Sequence, residues 1–472
     1  MSRLLGLSRR ELAVLAAAFL LSLPAVTPRI YASDEIQYFS YLRSIWFDHD
    51  VSFDNEYRYF YEHDIGRGEN FHATFLELTT GTGRRPNFGT IGAALLWAPF
   101  YAAGDAIARA TGTIADGYSL PYVAAVAYAS AFYGFAAVVL SAAAARLLRR
   151  GSPDVRAIGS TDASAHGIGT EVVAAVLIWI GTPLLFYMYV APPYAHACSA
   201  FAVALFVFVW LRVRRTWPIG GAIALGLGGA LMAMVREQDL FVALGPAVDL
   251  AVTALRTPGT VRSSYLRAAA AGCVAFAAGV MPQLLAYGAL NGYPGPSKLV
   301  ARKMSWHSPH ALHVLGSPEH GFLFWTPLAL LAIAGLVLLA WRARGDLRLA
   351  GGCLLLMLAL QVYVSGSVES WTVAGAFGQR RFVGVTSVLT IGLAILLVTV
   401  PRGLGRVALG AAIALCVWWN LGLTAAFGTG LMNRQRLELA RNAHDVFVTV
   451  PRLAPELAMR YLTRRESFYR TE

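Results

Sequence analysis

The sequence has 472 residues, of which 57% are hydrophobic and only 14% are charged, and its formal net charge is +12. Soluble domains are about 25% charged, so this composition excludes an ordinary soluble protein. Apolar runs near the ~20 residues that cross a bilayer recur along the whole chain, which predicts an all-α polytopic membrane protein. The positive charge comes from arginines at the ends of these runs, which argues against a nucleic-acid partner.

The first apolar run, 12–26, follows Arg9 and Arg10 and has no clear small-residue cleavage site, so we expect a retained first span. Later arginine clusters are expected on the cytoplasmic side, because short cytoplasmic loops collect Lys and Arg. These clusters lie at 146–150, 212–215, 256–267, 342–348 and 402–406. Two spans are then needed between successive clusters. We predict further spans near 122–148, 172–190, 194–211, 218–235, 240–255, 267–289, 321–341, 348–366, 382–400 and 405–425.

The apolar run 91–110 does not fit this scheme, because a crossing there would place the cluster at Arg146 outside. A proline, Asp105 and Arg109 interrupt the run, and we expect it to be an interfacial or re-entrant segment on the outer side of the membrane. The prediction is a single domain, 1–472, with about eleven transmembrane helices, the N-terminus inside and the C-terminus outside. The expected outer parts are a long first loop with interfacial helices at 29–118, a late loop at 290–320 and a polar tail at 429–472. A Gly/Ser/Asp linker is expected inside at 151–170.

The acidic pair Asp34 and Glu35 comes directly after the first span and opens a polar, aromatic-rich run. A general base must be a carboxylate or imidazole within reach of the proton that it takes, and a second carboxylate nearby can raise its pKa. We therefore take this pair as the candidate catalytic residues. The alternative is that Ser33 caps a helix whose first turn favours acids, which leaves the aromatic residues that follow unexplained.

Further acids and two histidines make the first loop a conceivable site for a divalent cation, because such ions prefer oxygen ligands. The spacing does not match a calcium-binding loop, and a solvated acidic loop is the simpler interpretation. We assign no metal ligands and expect no required cofactor.

Basic residues on the predicted outer face are candidates for holding a phosphate group, which Arg and Lys recognise. They are Arg85, near Asn87 in a Pro-Asn-Phe-Gly turn, then Lys298, Arg302 and Lys303 in the late loop, and finally Arg380 and Arg381. The alternative is unspecific binding to anionic membrane lipids.

Other candidate substrate-binding residues lie at the outer ends of later spans. They are His196, Arg236, Glu237, His320 and Glu369. An internal ion pair between Arg236 and either Glu237 or a nearby aspartate is an equal alternative, because charges at membrane depth tend to pair. A lone histidine is more often structural, whereas Glu369 beside an indole would suit a sugar ring.

This arrangement resembles the C-type glycosyltransferase superfamily, and within it the bacterial members grouped with protein mannosyltransferases and lipid A aminoarabinose transferases. The resemblance is carried by the acidic pair after the first span and by the Arg85-Pro86 element before the amphipathic run 91–110. Inner-face arginines after the second span and paired spans with a large late outer loop complete it. The turn Pro-Asn-Phe-Gly stands where Pro-Pro-Leu is more usual.

The resemblance implies that Asp34 is the catalytic base and Glu35 its neighbour. It implies a polyprenyl-phosphate-linked sugar as donor and a glycan, lipid or protein hydroxyl as acceptor. The location would be the bacterial inner membrane, with the site on the periplasmic face. The competing prediction is a transporter or flippase for a lipid-linked or anionic substrate, which the clustering of charge at one face and the lack of an internal repeat disfavour.

Overall fold

The computed structural model describes residues 2–66, 68, 70–150 and 168–468, so most of the linker predicted at 151–170 and the end of the tail at 469–472 lie outside the described residues. All regular elements in the described ranges are helices, as the composition predicts. The α-helices are Ser2–Leu5, Arg9–Ser22, Ser33–Arg43, Asp54–Glu62, Gly92–Thr111, Leu120–Arg150, Thr170–Ile180, Leu184–Tyr189, His196–Val213, Ile219–Val235, Leu244–Arg256, Gly259–Gly279, Met281–Asn291, Lys298–Arg302, Ala311–Gly316, Phe322–Trp325, Leu328–Arg342, Gly345–Gly366, Thr386–Thr399, Leu404–Gly428, Leu439–His444 and Val450–Thr463. Short 3-10 helices at Glu237–Ala243 and Arg380–Val385 precede two of them.

Within the described residues, six helices are long and apolar enough to cross a membrane. They are Leu120–Arg149, His196–Val213, Glu237–Arg256, Gly345–Gly366, Arg380–Thr399 and Leu404–Gly428. The pair Val261–Gly279 and Met281–Asn291, bent by 41°, would make a seventh if it is one span. These helices are compatible with an integral membrane protein.

The predicted number of about eleven spans is not established by the lengths of these helices. The predicted spans 218–235 and 321–341 correspond to shorter apolar helices, Ile219–Val235 and Leu328–Arg342. The predicted span 172–190 is divided, because the helix Thr170–Ile180 ends before a Gly-Thr-Pro sequence and the helix Leu184–Tyr189 follows it. Proline lacks the N–H that a continuous helix would need at that position.

Glycine allows several helix pairs of the bundle to pack with their backbones in contact. A β-carbon at Gly335 would overlap the carbonyl oxygen of Gly392 on the neighbouring helix, and one at Gly226 would overlap that of Gly272. Small residues at such crossings are typical of membrane helices, whose association depends on close packing.

Two buried ion clusters involve arginines that the sequence predicts at the cytoplasmic ends of spans. Arg146 contacts Glu11 at 2.6 Å and Glu171 at 3.1 Å, and all three side chains are almost fully buried. The Arg214 guanidinium binds both oxygens of Asp249, at 2.8 and 3.0 Å. These arginines therefore join segments of the chain that are distant in sequence.

The first loop folds around an aromatic core. Phe39 and Tyr41 of the helix Ser33–Arg43 are fully buried, as are Tyr57 and Tyr101 from later helices of the loop. This packing accounts for the aromatic residues that follow the acidic pair in the sequence.

Arginines neutralise much of the negative charge of this loop. Arg43 forms ion pairs with Asp48 and Glu56, and Asp54 binds Arg58 and Arg85. The loop is therefore a packed structure with internal ion pairs, in contrast to the solvated acidic loop that was the simpler interpretation of the sequence.

Candidate functional site

A cavity of about 520 Å³ lies where the start of the first loop meets the late loop and the ends of two membrane helices. Its volume is in the range of small-molecule sites, about 300–1,000 Å³. The residues that line it are Asp34, Gln37, Tyr38, Phe88, Gly89, Thr90, Arg236, Glu237, Gln238, Phe241, Pro296, Leu299, Val300, Ala301, Lys303, Met304, Trp306, Val364, Val368, Ser370 and Arg381.

Asp34 lies in the first turn of the helix Ser33–Arg43, and its carboxylate forms an ion pair with Arg380, Oδ2 to Nη1, at 2.8 Å. The Asp34 side chain is 38% exposed, so it stays accessible from the cavity. The Arg380 guanidinium also lies over the ring of Tyr194, 5.3 Å from its centroid. The structure thus brings Asp34 and Arg380 into contact, whereas the sequence predicted only that both lie on the outer face of the membrane.

Glu35 has a different environment from its neighbour and does not line the cavity. It is fully buried, and its Oε2 accepts hydrogen bonds from the backbone N–H groups of Tyr31 and Ala32 at 2.8 and 3.1 Å. Ala32 is the N-cap residue of this helix, and the Glu35 side chain caps the helix by accepting from the backbone N–H of Ala32. Ser33, which the sequence suggested as the cap, is the first residue inside the helix. Burial raises the pKa of the Glu35 carboxyl to about 8.

Arg236 and Arg381 bring positive charge to the cavity wall. Both are buried, with 6% and 8% of their surface exposed. The Nη1 atom of each has no hydrogen-bond partner among the described residues, although Nη2 of Arg381 lies 3.3 Å from the hydroxyl of Ser370. An unpartnered buried donor is costly, so these two guanidinium groups are candidates for binding an anion.

The acids beside Arg236 have other hydrogen-bond partners. Glu237 accepts a hydrogen bond from the hydroxyl of Tyr287 at 2.7 Å, and Asp239 accepts one from Ser199 at 2.5 Å. Neither makes an ion pair with Arg236 within the described structure, so the simple internal pair expected as an alternative is not found. Glu237 lines the cavity.

In the late loop, one of the three predicted cations lines the cavity. Lys303 does so, whereas Lys298 and Arg302 belong to a short exposed helix, where Lys298 lies over the ring of Tyr293 at 5.8 Å. The backbone N–H of Glu369 donates to the carbonyl of Lys303 at 2.9 Å. This bond closes the late loop against the segment that leads to Arg380, while the exposed Glu369 side chain does not line the cavity.

Arg85 and Asn87 are not among the residues that line the cavity. Arg85 binds Asp54 at 2.7 Å. The Asn87 amide donates to the carbonyl of Gln37 at 3.0 Å and accepts from the N–H of Gly89 at 2.8 Å. Both functional groups of Asn87 are thus used within the protein, and its neighbours Phe88, Gly89 and Thr90 line the cavity instead.

The two candidate histidines lie outside the cavity lining. His196 is buried between the rings of Tyr187 and Tyr194, with centroids 4.5 and 5.6 Å away. His320 packs edge-on against Trp371 at 5.9 Å. These contacts match the structural role that is common for lone histidines.

Sequence reasoning missed several polar residues of the cavity. Gln37 fixes the wall because its Oε1 accepts from the N–H of Phe88 at 2.7 Å. Gln238 has a buried Oε1 with no partner among the described residues. Tyr38 could have been found from the sequence because it follows Asp34 by four residues on a helix, which places both side chains on one face. Gln238 could have been found because it lies in the charged break between two apolar runs.

No group of three His, Cys, Asp or Glu side chains that could hold a metal ion occurs in the part of the chain that the structure describes. Comparison of the sequence with models of known protein families and with curated proteins gave no match.

Proposed function

We propose that this protein is a membrane glycosyltransferase that moves a sugar from a polyprenyl-phosphate carrier to an acceptor hydroxyl. Asp34 is the general base, and the reaction takes place on the periplasmic face of a bacterial inner membrane. The observation that carries the proposal is the sharing of one cavity by Asp34, Arg236 and Arg381, with unpartnered guanidinium nitrogens on both arginines.

The reaction is a direct displacement at the anomeric carbon. The acceptor oxygen forms a bond to this carbon while its proton passes to the Asp34 carboxylate, and the bond from the carbon to the phosphate oxygen breaks. The carrier phosphate leaves as an anion, so no general acid is needed at the leaving group. Arg236 and Arg381 stabilise the charge that develops on the phosphate, as preorganised donors do in other transfer reactions.

Apolar side chains at the cavity favour a donor attached to a lipid. Leu299 is 41% exposed and Trp306 is 52% exposed, and both line the cavity together with Phe241. A polyprenyl chain would cover the exposed surface of these side chains.

A transfer assay with purified protein and radiolabelled polyprenyl-phosphate sugars tests the proposal. We expect Asp34→Asn to lower turnover by about 10²–10⁴, the usual contribution of a general base, while expression and membrane insertion are unchanged. Asp64→Asn is the matched control, because Asp64 is an exposed acid of the same loop outside the cavity. It should retain native turnover.

Each other outcome has a defined meaning. Equal turnover in the native protein and Asp34→Asn would retain the glycosyltransferase but exclude Asp34 as its base. The transporter or flippase would be favoured by two results together. The protein would bind the carrier lipid specifically and move it across the vesicle membrane, and it would transfer no sugar to any acceptor tested.

A further inference from the structure

A second cavity, of about 430 Å³, lies between the helices Leu244–Arg256 and Gly345–Gly366. We call it the Arg256–Arg348 groove. Its lining residues include Val248, Arg256, Arg348, Leu349, Gly352 and Leu356. Nothing in the proposed transfer reaction uses these residues.

The groove and the Asp34 cavity lie at opposite ends of the same two helical segments. Glu237–Arg256 begins at the cavity with Glu237 and ends at the groove with Arg256. Gly345–Gly366 runs the other way, from Arg348 at the groove to Val364 at the cavity. A rise of 1.5 Å per residue over this interval gives about 24 Å, close to the ~30 Å of the hydrocarbon core. The groove therefore lies at the end of these helices where the arginine clusters are predicted to be cytoplasmic.

The groove carries positive charge that no acidic side chain in its lining neutralises. Arg256 and Arg348 are both exposed, and none of the eight lining residues is acidic. Arginine forks are suited to phosphate groups.

The remaining walls are apolar and open. Val248, Leu349 and Leu356 form them, and a β-carbon at Gly352 would have no atom within 4 Å. On the helix Gly345–Gly366 the residues Arg348, Gly352 and Leu356 follow at intervals of four, so the cation and the apolar strip share one face.

We propose that the Arg256–Arg348 groove binds an anionic diacyl phospholipid. The phosphate lies between the two guanidinium groups, and one acyl chain runs along Val248, Leu349 and Leu356 past Gly352. Basic pockets between membrane helices bind acidic headgroups in this way. This proposal does not rest on the proposed transfer activity, because no residue is shared between the two cavities.

Binding of phosphatidylglycerol to the full-length, delipidated protein in detergent tests the proposal, with native mass spectrometry and thermal unfolding as readouts. Phosphatidylcholine with the same acyl chains and inorganic phosphate are the comparison ligands. We expect phosphatidylglycerol to raise the midpoint of unfolding and the other two to have little effect. Equal effects of phosphatidylcholine would contradict a site for anionic lipid, and an equal effect of inorganic phosphate would show that acyl chains are not recognised.

The double variant Arg256→Gln/Arg348→Gln should bind phosphatidylglycerol about thirtyfold more weakly, because each arginine near an anionic group contributes roughly a factor of five. Arg402→Gln/Arg406→Gln removes the same charge outside the groove and should bind as the native protein does. A second variant, Gly352→Phe, fills the groove and keeps both arginines, so it should also lose the lipid. Native affinity in the folded Gly352→Phe variant, or the same loss in both arginine pairs, would overturn the proposal.

Discussion

Arg380 and Arg381 are adjacent in sequence, but their guanidinium groups have different surroundings. Arg380 is paired with Asp34 at 2.8 Å and lies over Tyr194. Arg381 lines the cavity with an unpartnered Nη1. The two residues therefore have separable roles in the proposed reaction, the first in positioning the base and the second in binding the carrier phosphate.

We expect Arg381→Gln to weaken binding of polyprenyl phosphate by about 10–100-fold, since hydrogen bonds to charged groups contribute roughly 1.5–3 kcal/mol. Arg380→Lys keeps the charge but alters the contact with Asp34, so it should leave binding within about threefold and lower turnover. Direct lipid-binding measurements combined with the transfer assay distinguish the two effects. Native carrier affinity in Arg381→Gln would remove this residue from the site.

Glu35 makes stability depend on pH because burial raises the pKa of its carboxyl to about 8 in the folded protein. The same group has a pKa of about 4.3 when exposed. Between these values the unfolded chain has released a proton that the folded protein retains, so stability falls as pH rises through this window. Above about pH 8 both states are ionised and the loss is complete.

Glu35→Gln should remove this dependence, because a glutamine oxygen can still accept from Tyr31 and Ala32 without ionising. We expect the variant to be more stable than the native protein at pH 8, by on the order of a few kcal/mol, and similar to it at pH 4. Thermal unfolding across this pH range measures the effect. Glu62→Gln, a change at an exposed acid of the same loop, is the control. A Glu35→Gln profile parallel to the native one would contradict the argument.

At the scale of helices, contact between backbones determines which elements of the bundle lie side by side. The helices Leu328–Arg342 and Thr386–Thr399 meet at Gly335 and Gly392, where neither position has room for a side chain. Lipid tails are as apolar as leucine, so hydrophobicity does not favour one helix pair over another. Close packing of complementary helix surfaces determines which helices associate.

Gly335→Ala should destabilise the bundle, because the added methyl group overlaps the carbonyl of Gly392 and the helices must separate. Overpacking of this kind costs about 1–3 kcal/mol, of which the better helix propensity of alanine recovers up to ~1 kcal/mol. Gly410→Ala is a matched control in the helix Leu404–Gly428, with open space at its β-carbon. Thermal unfolding in detergent should show a lower midpoint for Gly335→Ala only, and equal midpoints would refute the close contact.

Across the whole molecule, buried ion clusters connect segments far apart in the chain. Arg146 joins the helices Arg9–Ser22 and Thr170–Ile180 through Glu11 and Glu171. Arg214 joins the end of His196–Val213 to Asp249, which also accepts from the indole of Trp210 at 2.9 Å. Breaking a buried pair leaves an uncompensated charge, and this is more harmful than the pair itself is stabilising.

Asp249→Asn should therefore cost about 3–5 kcal/mol of stability, because Arg214 stays buried and charged. Asp346→Asn is the control, since the contact of Arg214 there is with the backbone carbonyl, at 2.9 Å. Its effect should stay below about 1 kcal/mol. Unfolding of both variants by denaturant gives the comparison, and equal losses would mean that the Asp249 carboxylate does not compensate Arg214.

The sequence by itself determined the class of the molecule. Apolar composition and the recurrence of long apolar runs predict helices that can span a membrane, because these properties act over about 20 neighbouring residues. Four residues that stand out in the sequence also line the cavity: Asp34 after the first apolar run, and Arg236, Glu237 and Gln238 in the break between two later runs.

Tertiary structure alone decided which of the marked residues meet. Asp34 and Arg380 come together from distant parts of the chain, Asn87 uses its amide on Gln37, and Glu35 is buried while its neighbour is accessible. The tertiary structure also decided that the predicted span 172–190 is divided and that Arg146 is buried in ion pairs with Glu11 and Glu171. The physical reason is that charge pairing, burial and backbone contact depend on neighbours across the fold, whereas hydropathy and helix breaking depend on neighbours along the chain.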